Sequence, residues 1–263
     1  MKEASLYNGT IQLTRDDDHK YWIGGVQKVG TTTITGILDK PLIKWAVDTG
    51  SAEAKRILFE MFKTGEPVDP ASIDKITSAI VKAPFIKRDT AANIGTDVHL
   101  WIEQHIRAQI GFDDEPMLPK SEPVVKGVRA FLDWEATNHV RYINTERLTY
   151  SKITDTCGTE DTEAVLNATP VVIDFKTGKA FIRKGRYFPY KEYRLQTASY
   201  TCSRNEEETG NPLQGIEHRV ILNLSRETGE FSQSAIYGPE ELKKDWDAFQ
   251  FLRRVYDWRE SIE

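Results

Sequence analysis

Cysteine is nearly absent: Cys157 and Cys202 are the only two in 263 residues. That is too few for a disulfide framework, a four-cysteine zinc site or an iron–sulfur cluster, and both are expected as reduced thiols packed like small apolar side chains. No apolar run approaches the ~20 residues of a membrane span. The first residues, MKEASLYNGT, lack the charged-then-apolar pattern of a signal peptide. The expectation is a cytoplasmic protein with no membrane partner. A basic surplus is also missing, because 35 Lys and Arg face 40 Asp and Glu for a net charge of −5, so any nucleic-acid binding must rest on local patches. There is no internal repeat and no low-complexity segment. Lys176-Thr177-Gly178-Lys179 has the end of a phosphate loop, but Ile173 stands where that loop needs its first glycine. Asn167-Ala168-Thr169 and Asn223-Leu224-Ser225 match the glycosylation pattern without any sign of secretion.

What is present is an ordinary globular composition, 39% hydrophobic and 29% charged, long enough for one large domain or a domain with a helical annex. Residues 1–30 read as a polar, partly extended arm, with Asp16 to Asp18 a solvated acidic run and Tyr21 to Gly25 a short strand and turn. From Thr31 the spacing of Ile34, Ile37, Leu38, Leu42, Trp45, Ala46, Ile57, Leu58, Met61 and Phe62 predicts amphipathic helices interrupted at Pro41 and Gly50. A helix over 69–82 starts at the Asp69-Pro70 signal. Another spans Arg88 to Ile110 with Ile94, Val98, Ile102 and Ile106 as its buried stripe. His99 and Glu103 lie four apart on that helix and share a face beside the stripe. Such a histidine is either hydrogen-bonded packing or a metal ligand, and the carboxylate one turn on leaves the two readings level. Residues 122–140 form a helix on Val125, Val128, Phe131, Leu132 and Trp134, followed by a strand over Arg141 to Ser151 that carries Glu146.

The most informative stretch is Cys157 to Lys179. Val171, Val172, Ile173 and Phe175 are β-branched or aromatic and follow the turn signal at Asn167 to Pro170. Alternation sends Val171, Ile173 and Phe175 to a core and puts Asp174 and Lys176 on the other side. A hairpin turning at Asn167 and Ala168 sets Asp161 directly across from Asp174. Two unscreened carboxylates repel, and one takes up a proton unless a cation lies between them; oxygen ligands of this kind suit Mg²⁺ or Mn²⁺.

After Lys179 the chain turns basic. Lys176, Lys179, Arg183, Lys184, Arg186, Lys191 and Arg194 face Glu192 alone, with Tyr187, Phe188, Tyr190 and Tyr193 interleaved. Cations track phosphates and rings stack on unpaired bases, so this is the composition of a single-strand groove; a solvated loop is the plainer alternative. A helix from about Tyr190 to Arg204 brings Gln196 and Tyr200 onto one face. The tail reads as a strand over His218 to Leu224, a Glu227-Thr228-Gly229 turn, a strand to Tyr237, and a helix from Pro239 using Leu242, Trp246, Phe249, Phe251, Leu252 and Tyr256.

Four motifs in order, Gly95-Thr96-x-Val98-His99-x-x-x-Glu103, Gly158-Thr159-x-Asp161, Ile173-Asp174-x-Lys176-Thr177-Gly178 and Gln196-x-x-x-Tyr200, resemble the PD-(D/E)xK nuclease superfamily, and within it the RecB-type exonucleases. The resemblance covers about residues 88–205. TTTITGILDKP with Trp45 is similar to the front of phage-encoded members. The absence of four cysteines separates the chain from iron–sulfur members. Glu160 departs from the pattern, since that position is apolar in most relatives and alternation turns it toward the core.

The resemblance implies an α/β nuclease core, a small mixed sheet flanked by helices, over 88–263, and over 1–87 an arm and helical region covering the substrate channel. It implies that His99, Asp161, Asp174 and the Phe175 carbonyl hold Mg²⁺ or Mn²⁺, that Lys176 orients or activates the attacking water, that Glu103 supports the first metal's shell or a second metal, and that Gln196 and Tyr200 position the lysine or the phosphate. Lys179, Arg183, Lys184, Arg186, Tyr187, Tyr190 and Arg194 become the nucleic-acid contacts. The implied activity is metal-dependent DNA exonuclease cleavage, favouring single-stranded ends, in replication, recombination or repair. The alternatives are a binding module with an idle site, a structure-specific endonuclease of the same superfamily, and a hydrolase of another phosphoester, which leaves the basic and aromatic stretch unexplained.

Overall fold

The computed structural model describes residues 1–38 and 42–262, so the expected break at Pro41 lies outside the described residues. The chain divides into two compact units. The first joins residues 1–38 to 97–263 and the second covers residues 39–96.

The first unit opens with β1 (Lys2–Leu6), β2 (Ile11–Arg15), β3 (Tyr21–Ile23) and β4 (Val26–Gly30), followed by the short α1 (Thr31–Thr35). The four strands form an antiparallel meander, so the polar arm, expected to be only partly extended, is a sheet. Its turns supply the reason: Tyr7, Asn8 and Gly9, then Gly24 and Gly25, all adopt positive φ, as tight hairpin turns require. Asp16, expected to be solvated, instead accepts from Trp22 Nε1 at 2.9 Å and from the Lys20 N–H at 2.8 Å. Leu6 and Leu13 of the meander pack with Leu148, Tyr150 and Cys157.

The second unit contains α2 (Ile43–Thr64) and the first part of α3 (Pro70–Gln109). Asp69 caps α3, its Oδ1 accepting the Ser72 N–H at 2.7 Å. Gly50 does not interrupt α2. It lies where α2 meets Ile80 of α3, and a Cβ there would come within 2.9 Å of the Ile80 side chain, so this glycine serves close helix approach rather than a break. The two helices expected at 69–82 and 88–110 are one, with Pro84 inside it. Pro84 lacks an N–H for the Ile80 carbonyl, and that carbonyl faces Gly50.

The remainder of the first unit runs α4 (Glu122–Ala136), β5 (Val140–Ser151), β6 (Thr156–Leu166), β7 (Thr169–Thr177), β8 (Ile182–Arg183), β9 (Arg186–Tyr187), α5 (Lys191–Thr209), β10 (His218–Leu224), β11 (Phe231–Gln233) and α6 (Pro239–Ile262). The result is a mixed α/β fold with a central mixed sheet flanked by helices. β5, β6 and β7 pair antiparallel, β10 joins β7 in parallel, and β11 closes that edge. β4 meets β6 in parallel at Thr156 and Cys157 and links the meander to the main sheet. β7 is buried on both faces from Val171 to Phe175, because α5 covers the side where only Asp174 and Lys176 were expected to point. α1, α5 and α6 share a core of Ile34, Leu195, Ala198, Cys202, Leu242, Trp246 and Phe249. Phe251, expected in that core, is 63% exposed. The two thiols are free, buried, and in different clusters. Among the described residues, no helix is long and apolar enough to cross a membrane.

Candidate active site

The site grows from the β6–β7 hairpin. Asn167 and Ala168 both take positive φ at its turn, and the ladder runs from Leu166 opposite Thr169 to Thr162 opposite Ile173. One step further places Asp161 across from Asp174. There β6 leaves β7, and by Cys157 its neighbour is β4. At this parting the Asp161 carboxylate takes over from the ladder: its Oδ2 accepts the Phe175 N–H at 2.7 Å.

Asp174 is 1% exposed. Its Oδ2 lies 2.5 Å from Lys176 Nζ, and apart from that ion pair neither oxygen has a hydrogen-bond partner among the described residues. Burial raises the carboxyls of both Asp161 and Asp174 above the ordinary range, with Lys176 opposing the rise at each. For Lys176 burial works downward, but Asp174 and Asp161 override it and the ammonium is held above its ordinary value. It is therefore a cation and a donor, with no lone pair to accept a proton. Its Nζ also sits 4.9 Å from the Tyr193 ring centroid, a contact the motif pattern did not contain.

His99 completes the group. Its ring stands edge-on to Phe175 at 6.2 Å between centroids and its Nδ1 is 3.8 Å from Asp161 Oδ2. Burial, then the nearby Lys176 charge, lower the imidazole below its ordinary value, while the Phe175 backbone hydrogen-bonds to it. A neutral imidazole, the buried Asp174, the partly exposed Asp161 and a backbone carbonyl are thus brought together from α3, β6 and β7. Among the described residues no three His, Cys, Asp or Glu side chains already surround a common cation position; Lys176 instead balances the carboxylates. The donor set fits a divalent ion on chemical grounds: Asp174 has two buried oxygens with nothing but an ammonium to satisfy them, and hard oxygens with one imidazole suit Mg²⁺ or Mn²⁺.

α5 covers this hairpin. Gln196 Nε2 donates to Tyr200 Oη at 2.8 Å. The Tyr200 ring presses on Gly158, where a Cβ would lie 2.3 Å from Cε1; the glycine of the Gly158-Thr159-x-Asp161 motif is there to admit the ring. Glu160, the departure from the pattern, is fully buried with neither oxygen hydrogen-bonded among the described residues, and burial followed by repulsion from Glu163 pushes it up to about 8. At neutral pH it is largely protonated, which is how a carboxyl tolerates an apolar position.

Glu103 turns to a partner that sequence reasoning missed. Lys2 Nζ lies 2.8 Å from Glu103 Oε1 and 3.1 Å from Glu146 Oε2. Glu146 falls opposite Asp161, between the pairs Thr145–Thr162 and Arg147–Glu160, and it adopts φ 52° in the middle of a strand. The sequence showed an acid on a strand here, but its register depends on a shift between Tyr142 and Asn144.

The basic stretch folds into the β8–β9 hairpin, with Lys184 and Gly185 at positive φ in its turn. Lys179, Arg183, Lys184 and Arg186 are exposed. Two expectations are corrected. Tyr187 is only 9% exposed, pairs with Ile182, and has no face to offer a base. Arg194 is held by Asp245 at 2.9 and 3.0 Å and packs over Tyr237, so its guanidinium is tied into the fold, although Asp245 is shared with Arg219. The exposed rings are Phe181, Phe188 and Tyr190, the last standing edge-on to Tyr193. Compared with known protein families and with curated protein sequences, the chain matches none.

Proposed function

We propose that this chain is a metal-dependent deoxyribonuclease with a PD-(D/E)xK core, acting as an exonuclease on single-stranded ends. One observation carries the reading: Asp161 and Asp174 meet from neighbouring antiparallel strands in a buried place that also holds the cationic Lys176, 2.5 Å from Asp174. Bringing a second carboxylate beside the buried Asp174 costs free energy, and among the described residues the Lys176 ammonium alone answers the two Asp174 oxygens. His99, Asp161, Asp174 and the Phe175 carbonyl would hold a divalent ion, which when bound supplies an acidic water and neutralises phosphate charge.

The chain's own residues do the rest. Asp161 is fixed by the Phe175 N–H, so its second oxygen is free to face a ligand. Lys176, as an ammonium, donates to an attacking water or to a non-bridging phosphate oxygen and stabilises the negative charge that develops there. The Gln196–Tyr200 pair, locked against Gly158, backs the hairpin and keeps Asp161 and Asp174 in register. The β8–β9 hairpin, which begins at Ile182 shortly after the active strand ends at Thr177, offers Arg183, Lys184 and Arg186 to phosphates and Phe188 and Tyr190 to bases.

The test is incubation of the purified protein with end-labelled single-stranded, double-stranded and circular DNA in Mg²⁺, in Mn²⁺ and in chelator. Release of labelled nucleotides from linear single strands with metal only is expected. Cleavage of circles at the same rate would instead make it an endonuclease, and binding without cleavage in either metal would make the site idle.

A further inference from the structure

The Lys2 ammonium is placed where a second cation would go. Glu103 and Glu146 come from α3 and β5, and their carboxylates converge on one Nζ at 2.8 and 3.1 Å. Arg15 adds a guanidinium 3.8 Å from Glu146. These acids are continuous with the candidate metal site: Glu103 is one turn from His99, and the Glu146 charge acts on both Asp161 and His99. Glu146 is also held at φ 52°, a strained left-handed conformation that persists in a β-strand only where the surroundings impose it. Lys2, at the start of β1, is the group that receives the carboxylate so aimed.

We infer that Lys2 is a positioning residue that acts as a built-in cation, filling the place between Glu103 and Glu146 and limiting the site to a single divalent ion. The inference rests on the metal-dependent reading for the first ion, but its own content is the exclusion of a second. An ammonium spanning two carboxylates satisfies them without the ligand rearrangement a hydrated ion demands, and it is tethered, so its local concentration exceeds that of free Mg²⁺. Removing only the charge would leave two carboxylates facing each other with Arg15 alone to offset them, the condition under which a divalent ion binds.

The experiment counts Mn²⁺ bound per chain by the loss of the free-ion electron paramagnetic resonance signal, on chelator-stripped full-length protein. Lys2→Met keeps the length and apolar character of the stem and removes the charge; Lys2→Arg keeps the charge. Wild type and Lys2→Arg are expected to take up one ion and Lys2→Met two, while Lys2→Met combined with Glu146→Gln returns to one. The combined variant assigns the second ion to the Glu103 and Glu146 carboxylates, and if Lys2→Met alone folds poorly the wild-type count still decides. A wild type that binds two ions overturns the inference, as does a Lys2→Met count equal to that of wild type. A wild type binding none with Lys2→Met binding one would sustain the role of Lys2 and defeat the nuclease reading, so the two failures are told apart.

Discussion

Asp174 and Lys176 are two positions apart on one strand, which makes them neighbours on one face by the strand period alone. Their ion pair fixes the protonation of the lysine: between two carboxylates it stays an ammonium, so its contribution is electrostatic rather than that of a base. Lys176→Met should lower the cleavage rate by ~100-fold or more, the range for loss of a positioned charge-stabilising group, with DNA affinity nearly unchanged in a binding assay run in chelator. A large loss of affinity with unaltered turnover would move Lys176 into the substrate groove. Asp161, Asp174 and Lys176 were legible because a turn signal and a period of two are local properties. Glu146 and Lys2 were not. Placing Glu146 opposite Asp161 requires the register shift between Tyr142 and Asn144, which no residue type announces, and Lys2 arrives from a strand whose polar alternation resembles a loop.

At the level of elements, the β8–β9 hairpin gives a second prediction. Neutralising Arg183, Lys184 and Arg186 together should flatten the plot of log affinity against log salt by about two units on single-stranded DNA, at ~0.7 per phosphate contact. Tyr190→Ala should weaken binding by ~1–3 kcal/mol with little change of slope. An unchanged slope in the triple variant would make the hairpin ordinary solvated surface.

The junction of α3, α4 and the segment between them gives a third prediction. His105 is buried, stacked on Trp101 at 5.1 Å, with Nε2 3.1 Å from Glu135 and Nδ1 bonded to Glu115. A ring donating from both nitrogens to carboxylates is an imidazolium. Burial alone would lower it, but the bonds to Glu135 and Glu115 raise it above 6.5, while Glu135, despite burial, is held below 4.5 by His105 and Tyr142. A raised histidine stabilises fully below its unfolded value and loses that contribution as pH climbs through the folded one; a lowered glutamate stabilises above its unfolded value and loses it as pH falls. The pair is therefore strongest between about pH 4.5 and 6.5. The stability gap between wild type and His105→Gln, by denaturant titration, should reach ~1.5–3 kcal/mol at pH 5.5 and shrink by pH 9. A gap that widens with pH would contradict this account. Element boundaries were the less legible part of the helical region. Gly50 read as a break and Pro84 falls in the gap between two expected helices, yet both lie inside helices because tertiary contact at Ile80 outweighs their intrinsic penalties.

Across the whole chain, residues 1–38 and 97–263 contribute to one unit, so its sheet combines strands from both ends of the sequence. The α/β class and the longer strands after residue 140 were legible because each pairs with a near neighbour in sequence or carries a strong β-branched run, whereas the two-residue strands β8 and β9 were not. The meander at the front was not, since its strands are short and half polar and its folding depends on paired turns. The account stands on the claim that Asp161, Asp174 and Lys176 form a metal-dependent phosphodiesterase centre. The most direct test is the initial rate of nucleotide release from end-labelled single-stranded DNA by wild type and Asp174→Asn, each with Mg²⁺ and with chelator, on preparations with matching circular dichroism. The account predicts release by wild type in Mg²⁺ alone, with at least ~100-fold loss in Asp174→Asn; release that persists in chelator, or equal rates for the two proteins in Mg²⁺, would contradict it.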